Sequence, residues 1–248
     1  MPDHKNHQIV VVGAGLTGVM TALTLSHCGY GSPLTPAVTL IDRIDQMAPK
    51  PRAPSGDHRT TTVHAAGMKM LNTLGVWPLI AEKATQINRI KVAHGQPHLD
   101  KRYRWQSPEF SLEWYDEDFP MAYVVNNQDL LSALYNKLTE RPVIQVKGHE
   151  VTGLQEQGDC AQLQFEHHPD MTCQLIVACD GANSKLRDYA SIRAFSEPQR
   201  QTAIIANLKS EHCHENTAFQ RFLPSGPIAF MPHGANRISL VWSLPKDK

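Results

Sequence analysis

The sequence has no Cys-x-x-Cys pair. Its five cysteines, Cys28, Cys160, Cys173, Cys179 and Cys213, are odd in number and scattered. That argues against a disulfide framework or a cysteine-rich zinc site and for a reducing cytosol. No apolar run reaches the roughly 18 residues that a spanning helix needs. Net charge is missing as well: 24 Lys and Arg against 24 Asp and Glu leave zero. A balanced chain lacks the electrostatic footprint of a nucleic-acid binder. No internal repeat and no low-complexity tract is present. The apolar stretch 9–25 is broken by Gly13, Gly15, Thr17 and Gly18 and has no small-residue cleavage site. It therefore reads as strand–turn–helix and not as a leader.

The 248 residues are 41% hydrophobic and 19% charged, enough apolar material for a sizeable core. Disorder is excluded, and the length suits one large domain or two small ones. Residues 8–12 form a β-branched run that predicts a buried strand, and helical spacing follows to Cys28, with Gly29 as a stop. Residues 37–41 predict a second strand ending at Asp42, and 46–59 a loop. The spacing predicts a helix over 62–74, closing at Gly75. Strands are expected at 90–93, 103–105 and 110–114, then a helix capped by Asn126, with Leu130, Leu131, Leu134, Tyr135 and Leu138 on one face. Further strands are expected at 143–146, 151–154, 161–165, 174–179, 202–208, 228–231 and 238–242. Mixed βα units followed by antiparallel strands argue for an α/β domain with a β-rich second part.

Gly13-Ala14-Gly15-Leu16-Thr17-Gly18 follows the first strand and opens the first helix, the context in which Gly-x-Gly-x-x-Gly has meaning. Gly13 permits the tight turn, Gly15 lets the backbone approach a diphosphate, and Gly18 lets the helix pack on the strand. The helix N-terminus offers unpaired N–H groups to the phosphates. Asp42 ends the next strand, where an acid holds ribose hydroxyls. The pattern suits FAD or NAD, and Arg43 leaves NADP open.

A second motif runs Cys179-Asp180-Gly181-Ala182-Asn183-Ser184-Lys185-Leu186-Arg187 behind an apolar strand, with Ser184 placed to cap a helix. Paired with the first motif it resembles the class A flavoprotein monooxygenases of p-hydroxybenzoate-hydroxylase type. Ala218-Phe219-Gln220-Arg221-Phe222, continuing through Gly226-Pro227-Ile228-Ala229-Phe230-Met231-Pro232 to Ser239-Leu240-Val241-Trp242, narrows the resemblance. It is similar to the ubiquinone-biosynthesis hydroxylases, 2-polyprenylphenol hydroxylases, as are Asp57-His58-Arg59 and Leu74-Gly75-Val76-Trp77. The fold so implied is a Rossmann-like FAD-binding domain (1–85 and 123–192) with a β-rich substrate domain (86–122 and 193–248). The activity implied is FAD-dependent insertion of one oxygen of O2 into a phenolic ring, with NAD(P)H as co-substrate. Gly13, Gly15, Gly18 and Asp42 would hold the ADP half of FAD, and Arg59 would reach the flavin or its diphosphate. Asp180 would lie near the ribityl chain, and Asn127 would take a cofactor-contacting slot. The flavin carries the oxygen chemistry while the protein orients the ring and excludes water. Arg221 has two readings: a cation beside an ionised phenol, or a salt-bridge partner on the sheet.

The resemblance also implies a polyprenylphenol substrate, quinone-biosynthesis proteins as partners, no nucleic acid, and a cytoplasmic place with peripheral membrane contact. The family's Gly-Asp-Ala-Ala-His-like segment is missing, so the fold is expected to be incomplete at its C-terminus. Such a chain would hold FAD weakly and hydroxylate only as part of the intact protein. Alternatives are a hydroxylase of a soluble aromatic, a non-catalytic member of a quinone-biosynthesis complex, and a plain NAD dehydrogenase. Glu211-His212-Cys213-His214-Glu215 has a chelating look, but a catalytic zinc needs a third ligand and an open position, and no metal is expected.

Overall fold

A computed structural model describes residues 7–28, 38–43, 59–95, 110–115, 119–141 and 144–246. The expected strand at 103–105, the stop at Gly29, the Asp57-His58 pair and nearly all of the 46–59 loop lie outside them. In chain order the elements are β1 (His7–Val12), α1 (Leu16–His27), β2 (Val38–Asp42), β3 (Thr60–His64), α2 (Ala65–Thr73), β4 (Thr85–Ile87), β5 (Arg89–His94), β6 (Phe110–Tyr115), β7 (Ala122–Asn126), α3 (Asn127–Thr139), β8 (Ile144–Gly148), β9 (Val151–Gln157), β10 (Cys160–Phe165), β11 (Met171–Ala178), α4 (Lys185–Tyr189), β12 (Gln201–Lys209), β13 (Thr217–Leu223), β14 (Gly226–Pro232) and β15 (Arg237–Pro245). They fall into two compact units, Met1–Ser55 with Leu131–Ser196 and Gly56–Leu130 with Glu197–Lys248.

The first unit is built on a sheet of order β8-β2-β1-β11-β10-β9. β1 pairs in parallel with β2 and β11, and β2 pairs in parallel with β8. A strand flanked on both sides and covered on both faces needs a continuous apolar run, which Ile9-Val10-Val11-Val12 supplies. Val10, Val11, Val38, Leu40 and Ile41 are fully buried. β9, β10 and the start of β11 form an antiparallel edge, closed by Leu163, Phe165 and Met171 in the core.

The second unit has a sheet of order β12-β15-β14-β13-β5-β6 and a three-stranded sheet β3-β7-β4. Only the β13–β5 pair in the larger sheet is parallel. Ile87, Ala122, Val124 and Ala218 form the core between the sheets, with Ile90 and Met231 against it.

The structure corrects the sequence reading at 62–74. Residues 60–64 are strand, in register with β7 from Thr60 opposite Asn126 to His64 opposite Ala122. The run Thr60-Thr61-Thr62-Val63 is β-branched, and a partner strand settles that preference. The helix starts only at Ala65, capped by His64 Nδ1 accepting from Gly67 N–H. Residues 56–85 and 123–130 group with the second unit, whereas the sequence boundaries place them in the first. β4, β7 and β13 carried no separate strand signal.

Candidate functional site

The glycine turn is where β1 ends. Gly13 has φ +104°, and a Cβ there would lie 2.2 Å from the Cys179 carbonyl oxygen. Its N–H donates to Ile41 O at 2.7 Å, while Cys179 N–H donates to Val12 O at 2.7 Å. A Cβ on Gly18 would lie 1.7 Å from Gly13 O. Both glycines are thus demanded by the protein's own packing. Gly15 differs: its φ is −77°, which any residue adopts, and a Cβ there meets nothing within 4 Å. A glycine kept where protein packing does not need one leaves room for something else to approach. α1 begins just there, with no side-chain cap and no acid in its first turn. Its N–H groups and the positive end of its dipole remain for an anion.

Asp42 and Tyr135 grip the same residue, Ala14, through the peptides on either side of it. Asp42 Oδ2 accepts from Ala14 N–H at 2.8 Å, and the Tyr135 hydroxyl donates to Ala14 O at 2.7 Å. Tyr135 is a site residue that sequence reasoning placed only on a core face. Tyr135 and Ala14 are 121 positions apart, so no local signal pairs them. Asp180 stands at the same turn, its backbone nitrogen 2.8 Å from where a Gly13 Cβ would be. Its Oδ2 accepts from Leu186 N–H at 3.2 Å, and its Oδ1 is buried with no hydrogen-bond partner among the described residues. A buried carboxylate oxygen left so is costly unless a donor comes from outside the protein. Ser184 caps α4 as expected, accepting from Arg187 N–H at 3.0 Å.

In the second unit Arg59 and Asn127 are neighbours. Asn127 N–H donates to Arg59 O at 3.1 Å, and the Thr61 hydroxyl donates to Asn127 Oδ1 at 2.6 Å. That bond turns the amide so that Nδ2 is left as the donor. Arg59 is exposed. Asn126 caps α3 as expected, accepting from Gln128 N–H at 2.8 Å. Arg221, on β13, is 5% exposed and walls a cavity of about 670 Å³ together with Phe219, Phe230, Ile238, Lys91 and Glu113. The cavity is a mostly apolar space with a buried cation.

His214 of the histidine–cysteine stretch is already committed. Its Nδ1 accepts from Asn216 N–H at 3.1 Å, which puts the proton on Nε2 for the contact to Gly234 O at 2.5 Å. Among the described residues no three His, Cys, Asp or Glu side chains converge on a metal position. Burial, then Cys160 nearby, pushes the Cys173 thiol up to about 11. No described helix is long and apolar enough to cross a membrane.

A parallel β-turn-α unit with this open glycine, an acid at the end of the second strand and an orphaned acceptor at the turn defines a dinucleotide-binding protein of Rossmann type. More particularly, the chain belongs to the FAD-binding domain family, whose pattern matches residues 6–244. It is 29% identical over 244 residues to ubiquinone hydroxylase UbiL of Rhodospirillum rubrum, covering 98% of this chain and 53% of that protein. It is 29% identical over 238 residues to 3-demethoxyubiquinol 3-hydroxylase of Escherichia coli, covering 95% of this chain and 56% of that protein. The chain thus spans about half the length of these curated relatives. The fold matches p-nitrophenol 4-monooxygenase PnpA from Pseudomonas putida with TM-score 0.72 at 16% identity, over 98% of this chain and 59% of that one. These likenesses agree with the family and the fold class read from the sequence motifs.

Proposed function

We propose that the intact protein is a FAD-dependent monooxygenase that hydroxylates a polyprenylated phenol in ubiquinone biosynthesis. The observation that carries this reading is the open cradle at Gly15, with the orphaned Asp180 oxygen at the same turn. The names of the relatives supply the substrate class. In the reaction one atom of O2 enters the new C–O bond and the other leaves as water, with NAD(P)H giving the two electrons.

Bound FAD supplies the electron transfer and the oxygen activation. The residues of this chain hold and orient. Gly15 and the start of α1 take the diphosphate, and Asp42 takes ribose hydroxyls while bracing Ala14. Asp180 Oδ1 accepts from a sugar-alcohol hydroxyl. Arg59 offers a cation and Asn127 Nδ2 a donor to the cofactor. In the cavity Phe219, Phe230 and Ile238 cover the ring and exclude water. The Arg221 guanidinium holds the phenol oxygen in its ionised, more nucleophilic form. A prenyl tail dissolves in lipid, so the substrate is met at a bilayer surface from the cytoplasmic side, with quinone-biosynthesis proteins as partners.

The test has two parts. FAD is titrated into the protein and its fluorescence followed; saturable binding is expected. The intact gene product with FAD is then given NAD(P)H, O2 and a prenylated phenol, and a product one oxygen heavier is expected. Absence of FAD binding sinks the whole reading. Binding with turnover of soluble aromatics alone would reassign the substrate, and binding without turnover of either would point to a scaffold.

A further inference from the structure

The turn between β14 and β15 is clamped from outside itself. Gly234 N–H donates to Thr85 Oγ1 at 2.7 Å, and Gly234 O receives His214 Nε2. His233 N–H donates to Arg237 O at 2.9 Å, and Ser210 N–H donates to Asn236 O at 2.9 Å. Gly234 itself has φ +66°. The histidine that looked like a metal ligand is in fact one of three outside points, with Thr85 and Ser210, that fix this turn. Fixing a turn so thoroughly costs chain entropy without building core, which suggests that its geometry is used.

The clamped turn presents positive charge. It lines a recess of about 540 Å³ with Lys83, Lys209, His233 and Arg237. Lys209 and Arg237 lie directly opposite one another across β12 and β15. Like charges in that position repel. Neither has a carboxylate partner among the described residues. Asp129, the acid whose charge reaches His233, is held by Lys83 at 2.5 Å. His233 Nδ1 is buried without a hydrogen-bond partner among the described residues.

We propose that this recess binds a phosphate group, presented either by a nucleotide or by an anionic lipid headgroup. A doubly charged oxyanion between Lys209 and Arg237 converts their repulsion into two charge-assisted hydrogen bonds and gives His233 a partner. The charges around His233 agree. Burial first, then Arg237, hold its pKa below the ordinary value, with Asp129 pulling the other way. An anion beside Arg237 cancels that field, so occupancy raises the His233 pKa.

The experiment follows the His233 ring by NMR while inorganic phosphate is added, with chloride at equal ionic strength as control. Saturable binding with an upward His233 pKa shift is expected. The exposed double variant K209Q/R237Q should weaken phosphate binding by about tenfold or more and abolish the shift. Without ligand this variant should melt no lower than the parent, because it removes like-charge repulsion. Phosphate acting no differently from chloride, or binding the double variant equally, overturns the proposal. The source is then separated by two arms. NADPH displacing phosphate better than NADH identifies a nucleotide phosphate. Lysine- and arginine-dependent binding to phosphatidylglycerol-containing vesicles, and not to phosphatidylcholine alone, identifies the headgroup. Phosphate binding with both arms negative leaves a bare ion site and overturns the ligand assignment.

Discussion

Three glycines of one motif do different work at the residue scale. Ala at position 13 or 18 would drive a Cβ into the Cys179 or Gly13 carbonyl. G13A and G18A should therefore lose several kcal/mol, of the order of ~3, in denaturant melts. G15A meets only open space and should melt within about 0.5 kcal/mol of the parent while losing most FAD affinity. Equal affinity for FAD in parent and G15A would mean that the diphosphate does not sit there. R221Q should lower kcat/KM of the intact enzyme by about 10²-fold and move its pH profile towards the free phenol, with R221K partly restoring both. An unchanged pH profile would return Arg221 to a structural part. For Cys173 the direction of linkage is clear. A thiol raised from 9.0 to about 11 adds stability that is whole below the unfolded value of 9.0 and is lost as pH climbs towards 11. Thiol reagents on the native protein should label the exposed Cys28 and Cys213 and spare Cys173 until unfolding.

Element by element, sequence patterns served best where an element settles its own conformation. The α1 and α3 starts, the β1 run and the Ser184 cap all follow from neighbours within a few residues. They served worst where the partner is remote. Residues 62–64 scan as the first turn of a helix until β7, more than fifty positions on, offers a ladder. α3 shows the same limit on its function: its apolar face is legible, but the hydroxyl of Tyr135 on Ala14 is not. Tyr135→Phe strands the Ala14 carbonyl and should cost about 1–2 kcal/mol, with a weaker hold on FAD. Calorimetry of the variant with and without FAD reads both; an unaltered FAD affinity would limit Tyr135 to packing.

For the molecule as a whole, the two units divide labour by chemistry. The first unit carries the turn, Asp42 and Asp180, and the second carries the cavity with Arg221 and the basic recess. A ligand that binds only the folded form stabilises it by mass action. FAD at about a hundred times its Kd should add about 2.7 kcal/mol, seen as a rise in the melting midpoint that G15A abolishes. A midpoint indifferent to FAD would contradict the assigned cofactor.

By itself the sequence determined the Rossmann turn, the acid at position 42 and the family, because glycine spacing, strand runs and caps are local and each acts over a few bonds. Only the tertiary structure decided that Gly15 is the glycine facing open space, that Asp180 keeps an unsatisfied oxygen, and that Tyr135 and His214 brace distant turns. Those facts depend on which surfaces meet after the chain has closed its loops, from the 20 positions between His214 and Gly234 to the 121 between Ala14 and Tyr135. A linear pattern carries the residue types for such meetings but not the distances between them.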